Sequence, residues 1–99
     1  MYGTVARFTV KPGHLDDLVG IFEEEEAKSR QIKGYVGSTC YKLDADANKL
    51  ILAVAFTDKD AYFANADDPE QDKWYQRVRE HLAEDPEWSD GEIVYSQMG

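Results

Sequence analysis

The eleven residues DKWYQRVREHL, 72 to 82, hold two aromatic rings, two arginines and one of the chain's two histidines. A histidine against an apolar surface is well suited to moving protons near neutral pH, because its unperturbed pKa of about 6.5 lies close to working conditions. His81 is therefore the candidate catalytic base, with Trp74, Tyr62, Phe63 and Phe56 as candidate walls of a binding pocket. Tyr41 and Tyr95, expected on strands, are candidate hydrogen-bond donors. Together they could supply a base, apolar walls and hydrogen-bond donors to a bound molecule. The competing reading of His81 is structural, an edge-of-core residue bonded to a backbone carbonyl.

Other residues that could carry chemistry read more simply. His14 follows Pro12-Gly13 at the start of a helix, where a charged imidazole would oppose the helix dipole, and is expected at the surface. Arg7 is expected to make an ion pair across an interface. Cys40 alternates with Val36 and Ser38 and reads as a buried, inert thiol. The loop DADAN, 44 to 48, imitates a calcium loop, but Lys49 and Ala55 stand where that loop needs Gly and Glu, so it reads as a hairpin turn. The run EEEE, 23 to 26, reads as a solvated helix face. With no phosphate loop, CxxC, HExxH or GxSxG, no metal site and no cofactor are expected.

Composition narrows the partners. Twenty acidic against eleven basic residues give a net charge of -9, which repels phosphate backbones and anionic lipid heads. Nucleic acid and membrane are not expected as partners. One cysteine, no signal-peptide pattern and no apolar run of roughly 20 residues point to a reducing, cytoplasmic setting. A chain of 99 residues makes a single domain, 1–99, small enough that burial against a second subunit would help it.

Periodicity supplies the elements that position these residues. Residues 2 to 11 alternate, with Tyr2, Thr4, Ala6, Phe8 and Val10 on one side. Leu15, Leu18, Val19 and Phe22 then recur at helical spacing, with Glu24/Lys28 and Glu26/Arg30 as outward pairs, giving a helix to about Arg30. Residues 35–43 and 49–57 form a hairpin, followed by a short helix after Asp58. Asp68, Pro69 and Gln71 cap a second long helix on which Trp74, Val78, His81 and Leu82 share one face. Asp90-Gly91 is expected as a turn and 92–98 as the last strand. The order β-α-β-β-α-β is that of ferredoxin-like α+β domains, an antiparallel sheet with helices on one face. In the third strand both alternating sets are apolar, Leu50, Leu52, Val54 and Phe56 against Ile51, Ala53 and Ala55. The uncovered face must then meet something other than water, and a homodimer with sheets face to face is expected.

The stretches ARFTVKPGHLDDLV and AVAFTDKDAYFAN, with a second helix leading to a final strand, resemble the antibiotic biosynthesis monooxygenase-like family of dimeric α/β barrels across nearly the whole chain. The resemblance implies a joint barrel of two subunits, each with a pocket between sheet and helices. It also implies cofactor-independent oxidation of phenols by molecular oxygen, or heme degradation, among the activities. Two departures bear on the reaction. Many members end the third strand in Trp where this chain has Phe56-Thr57-Asp58, and the heme-degrading branch has an Asn and an axial His where Ala6 and Val78 fall here. The expected function is therefore a cofactor-independent monooxygenase acting on a small aromatic or quinol substrate. The alternative is a non-catalytic barrel that binds a small hydrophobic molecule, and a structure with no cavity beside His81 would favour a structural domain filled by its own side chains.

Overall fold

The computed structural model describes residues 1–29 and 31–97 of the chain. Strand β1 (Tyr2–Thr9) leads into helix α1 (Leu15–Ser29), then strands β2 (Tyr35–Lys42) and β3 (Lys49–Phe56). Two helices follow, α2 (Lys59–Ala66) and α3 (Pro69–Arg79), before strand β4 (Glu87–Glu92). The strands form one antiparallel sheet in the order β2-β3-β1-β4. This is the expected ferredoxin-like α+β arrangement, with the second helical region divided in two. Among the described residues no helix is long and apolar enough to cross a membrane.

Strand alternation sorts the sheet into two faces. Thr4, Ala6 and Phe8 lie under the helices, in register with Val54, Leu52 and Leu50 of β3. Val10 continues the same set one residue past the strand, bridged to Leu82. Ala6, Phe8, Val10, Leu50 and Leu52 pack with Leu18, Ile21, Val78 and Leu82 into the core, and Leu15, Phe22, Val54 and Trp74 lean on it. The stripe on α1 thus differs by one position from the sequence expectation: Ile21 is buried and Val19 is exposed.

The caps read from sequence form as expected. Asp58 caps α2 through the Ala61 amide at 2.8 Å, and Asp68 caps α3 through the Glu70 amide at 2.9 Å, with Pro69 next. Between α1 and β2, Gly34 has φ 81, and a Cβ there would stand 2.6 Å from Ala61 Cβ. Only glycine permits both that dihedral and that approach. The 44–48 loop is a turn in which the Asn48 amide donates to Asp46 Oδ1 at 3.0 Å. On the charged face Glu24 pairs with Arg77 at 2.7 Å and Glu25 with Lys28 at 3.5 Å, in place of the expected Glu24/Lys28 pair. Arg30, expected to pair with Glu26, lies outside the described residues.

The last strand needs correction. It occupies Glu87–Glu92, so Asp90-Gly91 is inside it and most of the expected 92–98 strand lies beyond it, with Met98 outside the described residues. The reason is register. Trp88 pairs with Ala6 and Asp90 with Thr4, which brings the end of β4 opposite Tyr2, where β1 begins. The Ile93 amide still reaches the Met1 carbonyl at 2.8 Å, but no further strand remains for Val94 and Tyr95, which stay exposed.

The second sheet face carries Gly3, Val5 and Arg7 of β1 in register with Ala55, Ala53 and Ile51 of β3. Thr39 and Tyr41 flank Ala53 and Ile51 on β2. The small residues along its middle line a hollow of about 550 Å³ with no helix over it.

Candidate functional site

On the helical side, the sheet and the pair α2/α3 border an open cleft of about 450 Å³. That lies within the roughly 300–1,000 Å³ usual for small-molecule sites. One end is aromatic through Phe56 and Tyr62, whose rings meet edge to face at 5.7 Å. The other end is Trp74, Tyr75 and Trp88, with Tyr75 and Trp88 centred 6.2 Å apart. Thr4, Asn65, Gln71 and Asp90 bring polar atoms to this lining.

Two lining residues, one polar and one aromatic, hold an unsatisfied atom. Thr4 Oγ1 and Trp74 Nε1 are buried and make no hydrogen bond. A buried polar group without a partner costs about 1–3 kcal/mol, so native structures keep few of them. Both residues border the cavity, although neither atom is open to it in this structure. A wider groove of about 640 Å³ between α1 and β2, lined by Glu23, Glu26, Cys40 and Lys42, contains neither atom and has a charged rim.

Tyr62 fixes the acidic end. Its hydroxyl donates to Asp90 Oδ1 at 2.8 Å, tying α2 to β4. Desolvation and the Asp90 carboxylate push the phenol up to about 12, offset in part by the Thr4 hydroxyl, which stands close enough to Tyr62 to favour its ionised form. Tyr62 therefore remains a proton donor at neutral pH.

The structure brings Trp74, Tyr62 and Phe56 together around the cavity. Phe63 does not line it; its ring packs on Tyr62 at 5.0 Å and Tyr2 at 5.8 Å. Tyr41 lies on the opposite sheet face, and Tyr95 is exposed past the end of β4. His81 is not part of this lining. Helix α3 ends at Arg79, so His81 leaves the helical face of Trp74 and turns to His14, Nδ1 to Nδ1 at 3.0 Å. His14, expected at the surface, is correspondingly half-buried. Cys40, expected to be buried, is exposed on edge strand β2, although local desolvation still pushes its thiol pKa up.

Sequence reasoning missed Thr4, Asn65, Gln71, Trp88 and Asp90 as members of the lining. For the last two a signal existed: Trp88 and Asp90 are two apart, the spacing of one strand face after Pro86. Reading Asp90-Gly91 as a turn hid it.

Comparisons with known proteins follow this geometry. The sequence profile described as antibiotic biosynthesis monooxygenase matches residues 1–77. No protein of curated function matches by sequence. Among solved structures, a putative antibiotic biosynthesis monooxygenase from Nitrosomonas europaea is similar with TM-score 0.81 and 17% identity, over 96% of this chain and 100% of that one. SnoaB, a cofactor-independent oxygenase from Streptomyces nogalater, is similar with TM-score 0.82 and 20% identity, over 96% of this chain and 94% of that one. A putative antibiotic biosynthesis monooxygenase from Bordetella bronchiseptica aligns with TM-score 0.82 and 18% identity, over 95% and 97% of the two chains. At these identities the structural likeness speaks for the fold.

Proposed function

We propose a function from one premise, that the chain belongs to the antibiotic biosynthesis monooxygenase family. On our reading, the cavity between the sheet and α2/α3 takes a small phenol or quinol and promotes its oxidation by molecular oxygen without an added cofactor. One observation carries this: two unsatisfied buried donors, Thr4 Oγ1 and Trp74 Nε1, on residues of one aromatic-walled cavity. They are the groups we assign to the substrate oxygen, where they stabilise negative charge as it develops.

Asp90 is the carboxylate on the lining that we assign to proton acceptance, through Oδ2, since Oδ1 holds Tyr62. Magnitude decides whether this is feasible. An ordinary phenol and an ordinary carboxylic acid differ by about 6 pKa units, about 8 kcal/mol. A turnover near one per second allows a barrier of about 17 kcal/mol, so the transfer fits, and donation to the oxyanion shrinks it further. The same gap favours acidic phenols and keto-enol tautomers of quinol type as substrates. The substrate anion gives one electron to oxygen, and radical and superoxide join as a carbon peroxide. Loss of water then turns a ring CH₂ into a carbonyl. One oxygen atom enters the product and the other leaves as water with the two substrate hydrogens, so no outside reductant is needed. Our reading gives no step to His81, whose ring lies against His14.

The reading also includes a second copy of the chain on the open sheet face. Val5, Ala53 and Ala55 offer water an apolar face there, and the hollow of about 550 Å³ leaves room for a partner's side chains.

The test is binding and oxygen uptake with anthrone- and quinol-type phenols by wild type, Thr4→Val and Trp74→Phe. Thr4→Val removes one donor and keeps the side-chain shape, and Trp74→Phe removes the other together with one ring of the wall. Equal binding and uptake in all three would sink the assignment of these donors.

A further inference from the structure

Outside the cavity, a second cluster of reactive side chains has no part in the proposed reaction. His14 Nδ1 and His81 Nδ1 are 3.0 Å apart, with ring centroids at 5.2 Å. Together with an Asp17 carboxylate oxygen, one ligand-type atom from each residue lies within 4.8 Å of the other two.

Backbone hydrogen bonds hold the two histidines in place. The Lys11 amide donates to the His81 carbonyl at 2.9 Å, and the His14 amide donates to the Lys11 carbonyl at 3.0 Å. One residue thus clamps both. The Ala83 amide fixes the chain after His81 to the Thr9 carbonyl at 2.8 Å. Asp17 stands three positions after His14 in the first turn of α1, on the same side of that helix. Both imidazoles are half-buried and Asp17 is exposed, so the cluster has an outlet to solvent.

We propose that His14, Asp17 and His81 bind one divalent first-row transition-metal ion of the zinc type. Two imidazoles and a carboxylate are a donor set that suits such ions and disfavours magnesium and calcium, which prefer oxygen alone. Zinc bound at about 2.05 Å by two nitrogens in tetrahedral geometry sets them roughly 3.3 Å apart. The observed 3.0 Å is a few tenths of an ångström short of that, within reach of a small ring rotation. Three protein ligands leave the fourth position to water. The chain's net charge of -9 adds long-range attraction for a cation. Without an ion, the same two nitrogens share a single proton, the outcome that the test must separate.

The test is calorimetric titration of the full, tag-free chain with Zn²⁺, with Mg²⁺ as control, and with Co²⁺ followed by its visible absorption. The expected result is one saturable zinc site per chain, no magnesium heat, and a cobalt spectrum of low coordination number. His14→Ala and His81→Ala should each weaken zinc binding by more than about 100-fold, beyond the cost of losing a residue that only orients a ligand. Asp17→Asn should weaken it at least about 10-fold and change the cobalt spectrum. Because Asp17 is exposed, that variant decides the matter if a histidine variant fails to fold. No saturable zinc site, zinc binding that survives in both histidine variants, or unchanged affinity and cobalt spectrum in Asp17→Asn would each overturn the site.

Discussion

Tyr62 on α2 donates its hydroxyl proton to Asp90 on β4 across 2.8 Å, joining residues 28 positions apart in sequence. This bond lies on the lining of the cavity and, with burial, keeps the phenol protonated. Burial raises the Tyr62 pKa first and the Asp90 hydrogen bond second, to about 12. A phenol whose folded pKa exceeds its unfolded value contributes stability that is present below about pH 10 and lost as pH rises toward 12. Ultraviolet titration should show a tyrosine that ionises well above the unfolded value, absent in Tyr62→Phe, and urea midpoints of wild type should fall over that same window. Because the bond is partly solvated, Tyr62→Phe should cost only about 1 kcal/mol at neutral pH.

Thr4→Val tests the unsatisfied hydroxyl in both directions. It removes a buried oxygen that has no partner and keeps the side-chain shape, so the empty protein should gain about 1 kcal/mol in urea unfolding. The same variant should bind a phenol more weakly. Lower stability would mean that the hydroxyl already has a partner, and the ligand argument would lose its footing.

Gly34→Ala and Gly20→Ala form a matched pair. At Gly34, φ of 81 and a Cβ 2.6 Å from Ala61 Cβ should together cost about 2 kcal/mol or more. At Gly20, inside α1, a Cβ meets nothing within 4 Å, so the helix should gain about 0.5–1 kcal/mol. Thermal or urea unfolding of the two variants should move in opposite directions.

Ala53→Arg places a charge at the middle of the open sheet face, between Val5 and Thr39. Light scattering at micromolar concentration should give twice the chain mass for wild type and the single mass for this variant. A wild-type monomer would refute the face-to-face dimer.

Much of the fold was legible because it rests on local pattern. Alternation from Tyr2 to Val10 placed the first strand, and Asp68-Pro69 marked the start of α3. Trp74 was placed by the clear helical period of α3, whereas Phe56 and Tyr62 sit on elements whose pattern gives no single face. What failed was extrapolation past an element's end. His81 falls on the Trp74 face only if the helix continues, but the His81 amide bonds to the Val78 carbonyl three residues back, a closing turn. Asp90-Gly91 has turn chemistry in isolation, yet pairing with Thr4 and Gly3 holds it extended. No local signal marks Thr4, because its lack of a partner depends on what the tertiary structure fails to bring near it. Likewise His14 and His81, 67 positions apart, are brought together by long-range backbone pairing of Thr9 to Lys11 with residues 81 to 83.

The central claim is that the aromatic cavity binds a phenol and lets oxygen take its electrons. The most direct measurement is oxygen uptake by the flavin-free, metal-stripped protein with a panel of anthrone- and quinol-type phenols, beside Thr4→Val, Trp74→Phe and Asp90→Asn. The account predicts one oxygen molecule consumed per substrate by wild type, with each variant slower by at least about tenfold, the value of one lost hydrogen bond to a developing charge. Uptake at the protein-free rate across the panel, or equal uptake by all four proteins, would contradict it.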